Sequence, residues 1–258
     1  MSNSYKNILI TKPSSLGDIV LALPALTALH RSFPDAKISW LVRPEFAPLL
    51  ENHPHLTEII VFDRKLLGKA WFHSGAFGSL VSLVRRLRRS KFDVVFDFQG
   101  LLRTASLARL SGCKKRFGMA NAREFASIFY THKIPQDIDC IHMVDYYLKI
   151  IKAAGATAPD SVGRLLASHD VPNDNYAVFV PSSAHRDKCW PAERFAALAE
   201  KISSQFGTSI VVTGSASEAG IIESLKEKAN APIVSLAGKT SLSELIALLE
   251  GARVVISN

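Results

Sequence analysis

The chain of 258 residues lacks an uninterrupted apolar run of about 18 residues, the length that crosses a membrane as a helix. The longest candidate, residues 19–29, is interrupted by Pro24. The N-terminus also lacks the apolar core of a signal peptide, because Ile8 to Ile10 runs directly into Lys12 and Pro13. We therefore expect a cytoplasmic protein that does not span a membrane.

Cysteine is scarce, and Cys113, Cys140 and Cys189 lie far apart in the sequence, which argues against a zinc site or a disulfide framework. The phosphate-binding patterns G-x-G-x-x-G and G-x-x-x-x-G-K-[ST] are missing, which disfavours a nicotinamide dehydrogenase or a P-loop NTPase. No helix-turn-helix, zinc finger or RNA-binding aromatic motif occurs, so we expect no nucleic-acid partner.

The net charge of +8 predicts an anionic partner such as a nucleotide, a phosphorylated glycan or a membrane surface. Five cations crowd the end of one predicted helix: Arg85, Arg86, Arg88, Arg89 and Lys91. Cations there complement the helix dipole, and contact with an anionic membrane is the alternative.

The stretch from Ile8 to Val20 has the pattern of a strand, a tight loop and a helix. Its loop carries the hydroxyls of Ser14 and Ser15, then Gly17, then the Asp18 carboxylate near unpaired N–H groups of the first helical turn. Such a loop can hold an anion or a sugar. Alternatively, Asp18 is an ordinary helix-start carboxylate.

Two later segments also suggest ligand binding. Residues 63–78 are basic and aromatic with several glycines, which predicts an irregular loop suited to a phosphorylated sugar, or simply a solvated loop. Asp97, Gln99 and Arg103 lie on or just past the end of a predicted strand, the edge at which open α/β sheets bind ligands.

Candidate metal ligands are few. Residues 137–139 have the D-x-D form of metal-dependent glycosyltransferases, but so short a match has little weight, and we interpret it as charge at a helix entry. His53 and His55 flank Pro54 in a predicted turn, and without a third ligand nearby they are interpreted as surface residues.

Strands and helices alternate in both halves of the chain, which predicts two α/β units with parallel sheets and a cleft between them. We predict a first Rossmann-like domain over residues 1–160, a linker over 161–175 and a second Rossmann-like domain over 176–258. Because the chain stops on the predicted strand Val254 to Ser257, we expect the second domain to be incomplete.

The sequence resembles the ADP-heptose:lipopolysaccharide heptosyltransferases over essentially its whole length. Each matching segment is short, but their order and spacing together are specific. The segments are Lys12-Pro13-Ser14-Ser15-Leu16-Gly17-Asp18, Leu23-Pro24-Ala25-Leu26, Lys69-Ala70-Trp71-Phe72, Asp97-Phe98-Gln99-Gly100-Leu101, Phe117-Gly118-Met119, Ala122-Arg123-Glu124 and Asp187-Lys188-Cys189-Trp190-Pro191.

The resemblance implies a monomeric GT-B enzyme that transfers heptose with inversion from ADP-heptose to a Kdo residue of the lipopolysaccharide inner core, without a metal or other cofactor. Asp18 would be the general base. Donor contacts would come from Ser183 and Lys188 to phosphate or sugar, from Glu218 to the ribose and from Thr240 beside the adenine. Acceptor contacts would come from Lys12, Ser14, Ser15, Gly17, Lys65, Lys69, Gln99, Arg103 and Arg123.

The chemistry of the residues agrees with these roles. A carboxylate at a helix N-terminus stays ionised because the dipole favours its charge, and Lys188 with backbone N–H groups can stabilise a leaving diphosphate without a metal. Ala184 departs from the resemblance, because the family has a second hydroxyl there. The family also continues past the final strand into a donor-binding loop, so we expect the full-length protein to be active and this chain alone to bind donor poorly and to be inactive.

Two alternatives remain open at this point. One is a later-acting heptosyltransferase or a relative that uses another nucleotide sugar. The other is a non-catalytic anion-binding protein with the same fold, in which Asp18 only caps a helix.

Overall fold

The computed structural model describes residues 4–63, 74–137, 142–157, 175–183 and 186–258. The chain divides into two compact units, residues 1–165 and 166–258. The predicted linker over residues 161–175 lies, except for Asn175, outside the described residues.

The strands of the first unit are β1 (Asn7–Thr11), β2 (Lys37–Val42), β3 (Glu58–Val61), β4 (Val94–Asp97), β5 (Lys115–Met119) and β6 (His132–Ile134). They form a parallel sheet with the strand order β3-β2-β1-β4-β5-β6. The order reverses between β1 and β4, as in the doubly wound folds that bind nucleotides at this switch point.

Burial explains why the central strands form. Ile8, Leu9 and Ile10 of β1 are at most 1% exposed, so both faces of that strand are covered, as parallel sheets require. The covering helices are α1 (Leu16–Ser32), α2 (Ser74–Arg89), α3 (Leu102–Leu110) and α4 (Met143–Lys152), with short 3₁₀ helices at Pro44–Leu49 and Ala126–Phe129.

The second unit repeats the architecture with strands β7 (Tyr176–Val180), β8 (Ser209–Val212), β9 (Ile233–Ser235) and β10 (Val254–Ser257). These strands are parallel and have the order β10-β7-β8-β9. Its helices are α5 (Ala192–Phe206), α6 (Ala219–Lys228) and α7 (Leu242–Gly251), with 3₁₀ turns at Arg186–Lys188 and Ala216–Glu218. The predicted α/β architecture with parallel sheets is therefore present in both units.

The predicted irregular loop over residues 63–78 is wrong at its C-terminal end, because α2 already begins at Ser74. The glycines in this segment suggested a loop, but Gly78 lies within the helix. An added Cβ there would meet no protein atom within 4 Å, so neither a turn nor close packing requires glycine at this position. Burial of Leu83 and Leu87 in the core stabilises the helix despite the low helix propensity of glycine. Residues 64–73 of the predicted loop lie outside the described residues.

Candidate active site

The loop after β1 is tied to the neighbouring strand β2. The indole nitrogen of Trp40 donates a hydrogen bond of 3.1 Å to the Lys12 carbonyl, and the Lys12 N–H donates to the Leu41 carbonyl at 3.3 Å. The Arg43 N–H donates to the Pro13 carbonyl at 3.2 Å. Because Trp40 is fully buried, these bonds fix the start of the loop at the switch point of the sheet.

The Asp18 carboxylate uses one of its two oxygens for local structure. Its Oδ2 accepts hydrogen bonds from the Ser15 backbone N–H at 3.1 Å and from the Ser15 hydroxyl at 3.0 Å. Oδ2 also lies 3.3 Å from the Lys12 ammonium nitrogen. Among the residues that the structure describes, none donates a hydrogen bond to Oδ1, so that oxygen remains available to a substrate.

The surroundings of Asp18 favour its ionised form. Partial burial raises the pKa of Asp18, but the Ser15 N–H, the Lys12 charge and the Ser15 hydroxyl outweigh it and lower the pKa below its ordinary value. Lys12 is 4% exposed, and burial lowers its pKa more than the charge of Asp18 raises it. The pair therefore places a carboxylate and a mostly buried cation side by side.

A cavity of about 310 Å³ opens at this edge of the first sheet. Four of the sequence-predicted residues line it: Lys12, Asp18, Gln99 and Arg123. Arg123 follows β5, and its N–H donates to the Gly100 carbonyl at 3.0 Å, which joins the loops after β4 and β5. The structure thus brings together residues from three separate loops, and Gln99 is the residue among them that the strand-edge argument named.

Other predicted acceptor residues of this unit do not line the cavity. Ser15 acts through its bonds to Asp18, and Ser14 is half-buried beside it. Gly17 lies in the first turn of α1, where an added Cβ would meet no protein atom within 4 Å. Arg103 is exposed on α3, away from the cavity lining. Lys65 and Lys69 lie outside the described residues.

The structure contradicts the expectation that the Asp97 side chain faces a ligand at the end of its strand. It is 0% exposed and accepts hydrogen bonds from protein groups on both oxygens. The Thr11 hydroxyl (2.8 Å) and the N–H groups of Gln99 (3.0 Å) and Gly100 (3.4 Å) donate to Oδ1. The hydroxyls of Tyr130 (2.7 Å) and Thr104 (2.9 Å) donate to Oδ2. Burial raises the pKa of Asp97 more than these bonds lower it, and the group organises the loops around it.

Sequence reasoning missed the wall of the cavity that α4 contributes. Met143, Tyr146 and Tyr147 line it from that helix. Their apolar spacing predicts a helix that packs against the core, and Tyr146 and Tyr147 are each 1% exposed. The signal that marks them is a pair of hydroxyls on an otherwise apolar helix face, since a buried hydroxyl needs a partner.

In the second unit, Lys188 and Asn258 line a separate cavity of about 360 Å³ at the carboxyl ends of β7 and β10. This is again the point at which the strand order reverses. Lys188 is exposed in its 3₁₀ turn, and no described carboxylate forms an ion pair with it. Ser183 lies in the loop after β7, and its carbonyl is 3.8 Å from the Cys189 sulfur.

Glu218 has a structural task in this unit. Its Oε2 accepts from the Ser215 N–H at 2.6 Å and from the Ser215 hydroxyl at 2.8 Å, which forms a capping box. A hydrogen bond from Ser182, followed by those from Ser215, lowers the pKa of Glu218. Thr240 is half-buried next to Ser241, the residue that caps α7. Neither Glu218 nor Thr240 lines the cavity of Lys188.

No group of three or more His, Cys, Asp or Glu side chains that could hold a metal occurs in the part of the chain that the structure describes. Asp137 of the D-x-D segment pairs with Lys149, while residues 138 and 139 lie outside the described residues. The surface interpretation of His53 is wrong, because it is 6% exposed and accepts a hydrogen bond from the His55 N–H at 3.3 Å. None of the described helices has the length and apolar character to cross a membrane.

Two doubly wound α/β units with parallel sheets, each with candidate residues at its switch point, are the components of the GT-B class of glycosyltransferases. The chain belongs to glycosyltransferase family 9 (heptosyltransferase), whose model matches residues 80–258.

Individual relatives agree with the family. The chain is 30% identical to lipopolysaccharide heptosyltransferase 1 of Escherichia coli over 97% of its own length and 81% of the relative. It is 26% identical to E. coli lipopolysaccharide heptosyltransferase 3 over 93% of this chain and 73% of that one. The solved structure of E. coli heptosyltransferase WaaC with ADP-2-deoxy-2-fluoro heptose matches with a TM-score of 0.82 and 29% identity, over 97% of this chain and 82% of that chain. The resemblance and the GT-B fold predicted from the sequence are confirmed.

Proposed function

We propose that this enzyme transfers heptose from ADP-heptose to a Kdo residue of the lipopolysaccharide inner core, with Asp18 as the general base. The E. coli relative solved with an ADP-heptose analogue supports the donor. The observation that carries the proposal is the Asp18 carboxylate, which lines the cavity with Oδ1 available while Oδ2 is held by Ser15 and Lys12.

The reaction is a single displacement. The acceptor hydroxyl oxygen forms a bond to the anomeric carbon of heptose, the bond from that carbon to the diphosphate oxygen breaks, and ADP leaves with the electron pair. Asp18 takes the hydroxyl proton. Attack from the face opposite the leaving group inverts the anomeric configuration.

We assign the acceptor to the first unit and the donor to the second, in keeping with predicted domains over residues 1–160 and 176–258. Lys12 and Arg123 supply positive charge beside the acceptor cavity. Lys188 supplies positive charge for the departing diphosphate, together with backbone N–H groups of nearby helix starts. Ser183, Glu218 and Thr240 remain proposed donor contacts, and for Glu218 the capping role competes with that assignment.

The test is the Asp18→Asn variant, assayed for heptose transfer from ADP-heptose to Kdo-lipid A. A general base predicts that transfer falls by about 100-fold or more while donor and acceptor still bind. A helix cap alone predicts a stability loss of about 1 kcal/mol with transfer retained per folded molecule.

Glu244→Gln is the matched control, because the Ser241 N–H donates to Glu244 Oε2 at 2.7 Å in a capping box of the same kind on α7. It should lower stability and leave transfer unchanged. If Asp18→Asn behaves like this control, Asp18 is a cap and the proposed mechanism is wrong.

The similarity to heptosyltransferase 3 favours a second candidate function, addition of a later heptose to an already extended core. Parallel assays with Kdo-lipid A and with a heptosylated acceptor distinguish the two. Faster transfer to the heptosylated acceptor would favour the second candidate.

We further propose that the enzyme works as a monomer at the cytoplasmic face of the inner membrane, held there by the basic end of α2. Arg86 pairs with Glu58, and the Arg88 Nε donates to the Leu110 carbonyl at 2.9 Å. Arg85 and Arg89 are exposed and form no ion pair with any carboxylate in the described ranges. Replacing both with Glu should abolish binding to phosphatidylglycerol vesicles and leave transfer to a detergent-dispersed acceptor unchanged.

A further inference from the structure

Two buried polar atoms that have no hydrogen-bond partner among the described residues belong to side chains that line the proposed acceptor cavity. Within the described residues, neither the Tyr147 hydroxyl nor the Gln99 Oε1 forms a hydrogen bond, although neither atom is accessible to solvent. Both residues line the cavity that Asp18 and Lys12 also line. Because buried polar atoms in folded proteins nearly always have partners, these two call for a bound group.

Packing holds the Tyr147 side chain, and a hydrogen bond holds the Gln99 backbone. Tyr147 projects from α4, which packs against α1, and its ring lies 4.7 Å from that of Phe98, centroid to centroid. The N–H of Gln99 donates to the buried Asp97 carboxylate at 3.0 Å. The Tyr147 side chain and the Gln99 backbone are therefore positioned by the fold before any ligand arrives.

The two atoms differ in hydrogen-bonding capacity. The Gln99 Oε1 only accepts, whereas the Tyr147 hydroxyl donates. Burial, followed by the charges of Asp18 and Asp97, raises the pKa of Tyr147, so its proton stays in place at neutral pH. A ligand that satisfies both must present a hydrogen-bond acceptor and a hydrogen-bond donor, and a sugar hydroxyl is both.

The rest of the cavity adds positive charge. Lys12 is buried beside Asp18, and Arg123 is exposed at the cavity with no ion-pair partner among the carboxylates that the structure describes. An anionic group with hydroxyls nearby, such as a sugar acid, matches this combination.

We propose that Tyr147 and Gln99 select the acceptor by hydrogen-bonding a ring hydroxyl of its sugar acid, while Lys12 and Arg123 attract the carboxylate. This inference rests on the proposed function, in which the acceptor is such a sugar. It assigns a specificity role to two residues that lie on the cavity side of the base and do not take part in proton transfer.

Tyr146 is a matched control on the same helix. Its hydroxyl lies at the same cavity but donates to the Ile134 carbonyl at 2.7 Å and to Asn121 Oδ1 at 3.2 Å. Removal of the Tyr146 hydroxyl therefore breaks hydrogen bonds within the protein. Removal of the Tyr147 hydroxyl breaks no hydrogen bond to any described residue.

The experiment compares Tyr147→Phe and Tyr146→Phe in heptose transfer to Kdo-lipid A and in thermal unfolding. Tyr147→Phe should raise the acceptor KM by about 10-fold, leave the donor KM unchanged and not lower the unfolding temperature. Tyr146→Phe should lower the unfolding temperature. An unchanged acceptor KM in Tyr147→Phe, or an equal rise in both KM values, overturns the inference.

Calorimetric titration with free Kdo separates this inference from the proposed function. If the wild type binds Kdo about 10-fold more tightly than Tyr147→Phe yet transfers no heptose, the proposed function fails and the assignment of Tyr147 stands. Equal binding to both proteins, or no binding of Kdo to the wild type, overturns the assignment even where transfer is observed.

Discussion

The ammonium nitrogen of Lys12 lies 3.3 Å from Oδ2 of Asp18, although the lysine side chain is only 5% exposed and the aspartate side chain 40%. The lysine thus approaches the carboxylate from the protein interior, while the carboxylate is open on its outer side. Oppositely charged neighbours stabilise the ionised form of an acid, so Lys12, together with the Ser15 hydrogen bonds, sets the pH range over which Asp18 could act as the proposed base.

Replacing Lys12 with Met should shift the acid limb of the pH profile of kcat/KM to higher pH. The charge of Lys12 helps to lower the pKa of Asp18, so its removal raises that pKa, and more of the base is protonated at a given acidic pH. At neutral pH, kcat/KM should also fall by about 10-fold, because a cation of the proposed acceptor site is lost. Steady-state rates across the pH range measure both effects.

Lys149→Met is the control for that experiment. Lys149 lies on α4 and pairs with Asp137, outside the lining of the acceptor cavity. Its profile should match that of the wild type. An acid limb that stays in place in Lys12→Met would mean that Asp18 is not the group titrating in the profile.

Gly17→Ala tests whether glycine is needed at this position because a substrate group lies close to it or because the backbone conformation requires glycine. An added Cβ meets no protein atom within 4 Å, and Gly17 lies in the first turn of α1. We expect stability to rise by about 0.5 kcal/mol, because alanine restricts the unfolded chain. If the substrate contacts this turn, transfer should fall by about 10-fold. Urea unfolding measures the change in stability, and steady-state kinetics measures the change in transfer.

Gly78→Ala offers the comparison, since Gly78 also lies in a helix with open space around it. It should gain similar stability with unchanged transfer. Equal transfer by both variants would show that no substrate group approaches Gly17.

The stability of the first unit should fall as the pH drops below about 6.5, the ordinary pKa of histidine. Burial, followed by the charges of His30 and Arg31, lowers the pKa of His55. A lowered pKa in the folded state means that the unfolded chain binds the proton more readily, so stability is present above that pH and is lost below it. His55 also stacks on His30 with ring centroids 4.2 Å apart.

Urea unfolding at pH 7.5 and at pH 5.5 measures this loss. His55→Gln should lose less stability between the two values than the wild type, and His30→Gln should show an intermediate loss. The same loss in wild type and His55→Gln would assign the effect to other groups.

Local patterning was sufficient to predict strands β1 and β4 and the loops that follow them, because short apolar runs that end in polar residues are typical of such strands. Lys12 follows β1 and Gln99 follows β4, and the structure shows that these strands are neighbours at the switch point. The strand order itself depends on long-range pairing, so it could not be deduced from the sequence pattern.

The sequence was not sufficient where a polar group's role depends on long-range partners. Tyr147 looks like a core residue of an amphipathic helix, and only the packing of α4 brings its hydroxyl to the cavity. Asp97 looks like a ligand-binding carboxylate, but the hydroxyls of Thr11 and Tyr130 approach it from distant parts of the chain, and that of Thr104 from the helix that follows. The short edge strand β6 has too little apolar patterning to be predicted from the sequence. It forms because its backbone pairs with β5.

Asp97→Ala should destabilise the protein by about 3 kcal/mol, because three hydroxyls and two backbone N–H groups lose their acceptor in a fully buried site. Asp97→Asn should cost less, since an amide can still accept from the backbone. Asp93→Ala is the exposed comparison: its carboxylate accepts from the N–H groups of Lys6 and Asn7 at 2.7 and 2.9 Å, and its loss should cost about 1 kcal/mol.

Urea unfolding measures these three losses, and transfer by the folded fraction shows what kind of residue Asp97 is. If Asp97 organises the loops, Asp97→Ala should lose much stability. In Asp97→Asn, the N–H groups of Gln99 and Gly100 keep their acceptor, so transfer should stay close to that of the wild type. A carboxylate that bound the substrate would instead lose transfer in Asp97→Asn with stability intact. That second result would restore the ligand-facing role that the sequence pattern predicts, despite the five hydrogen bonds that now occupy both oxygens.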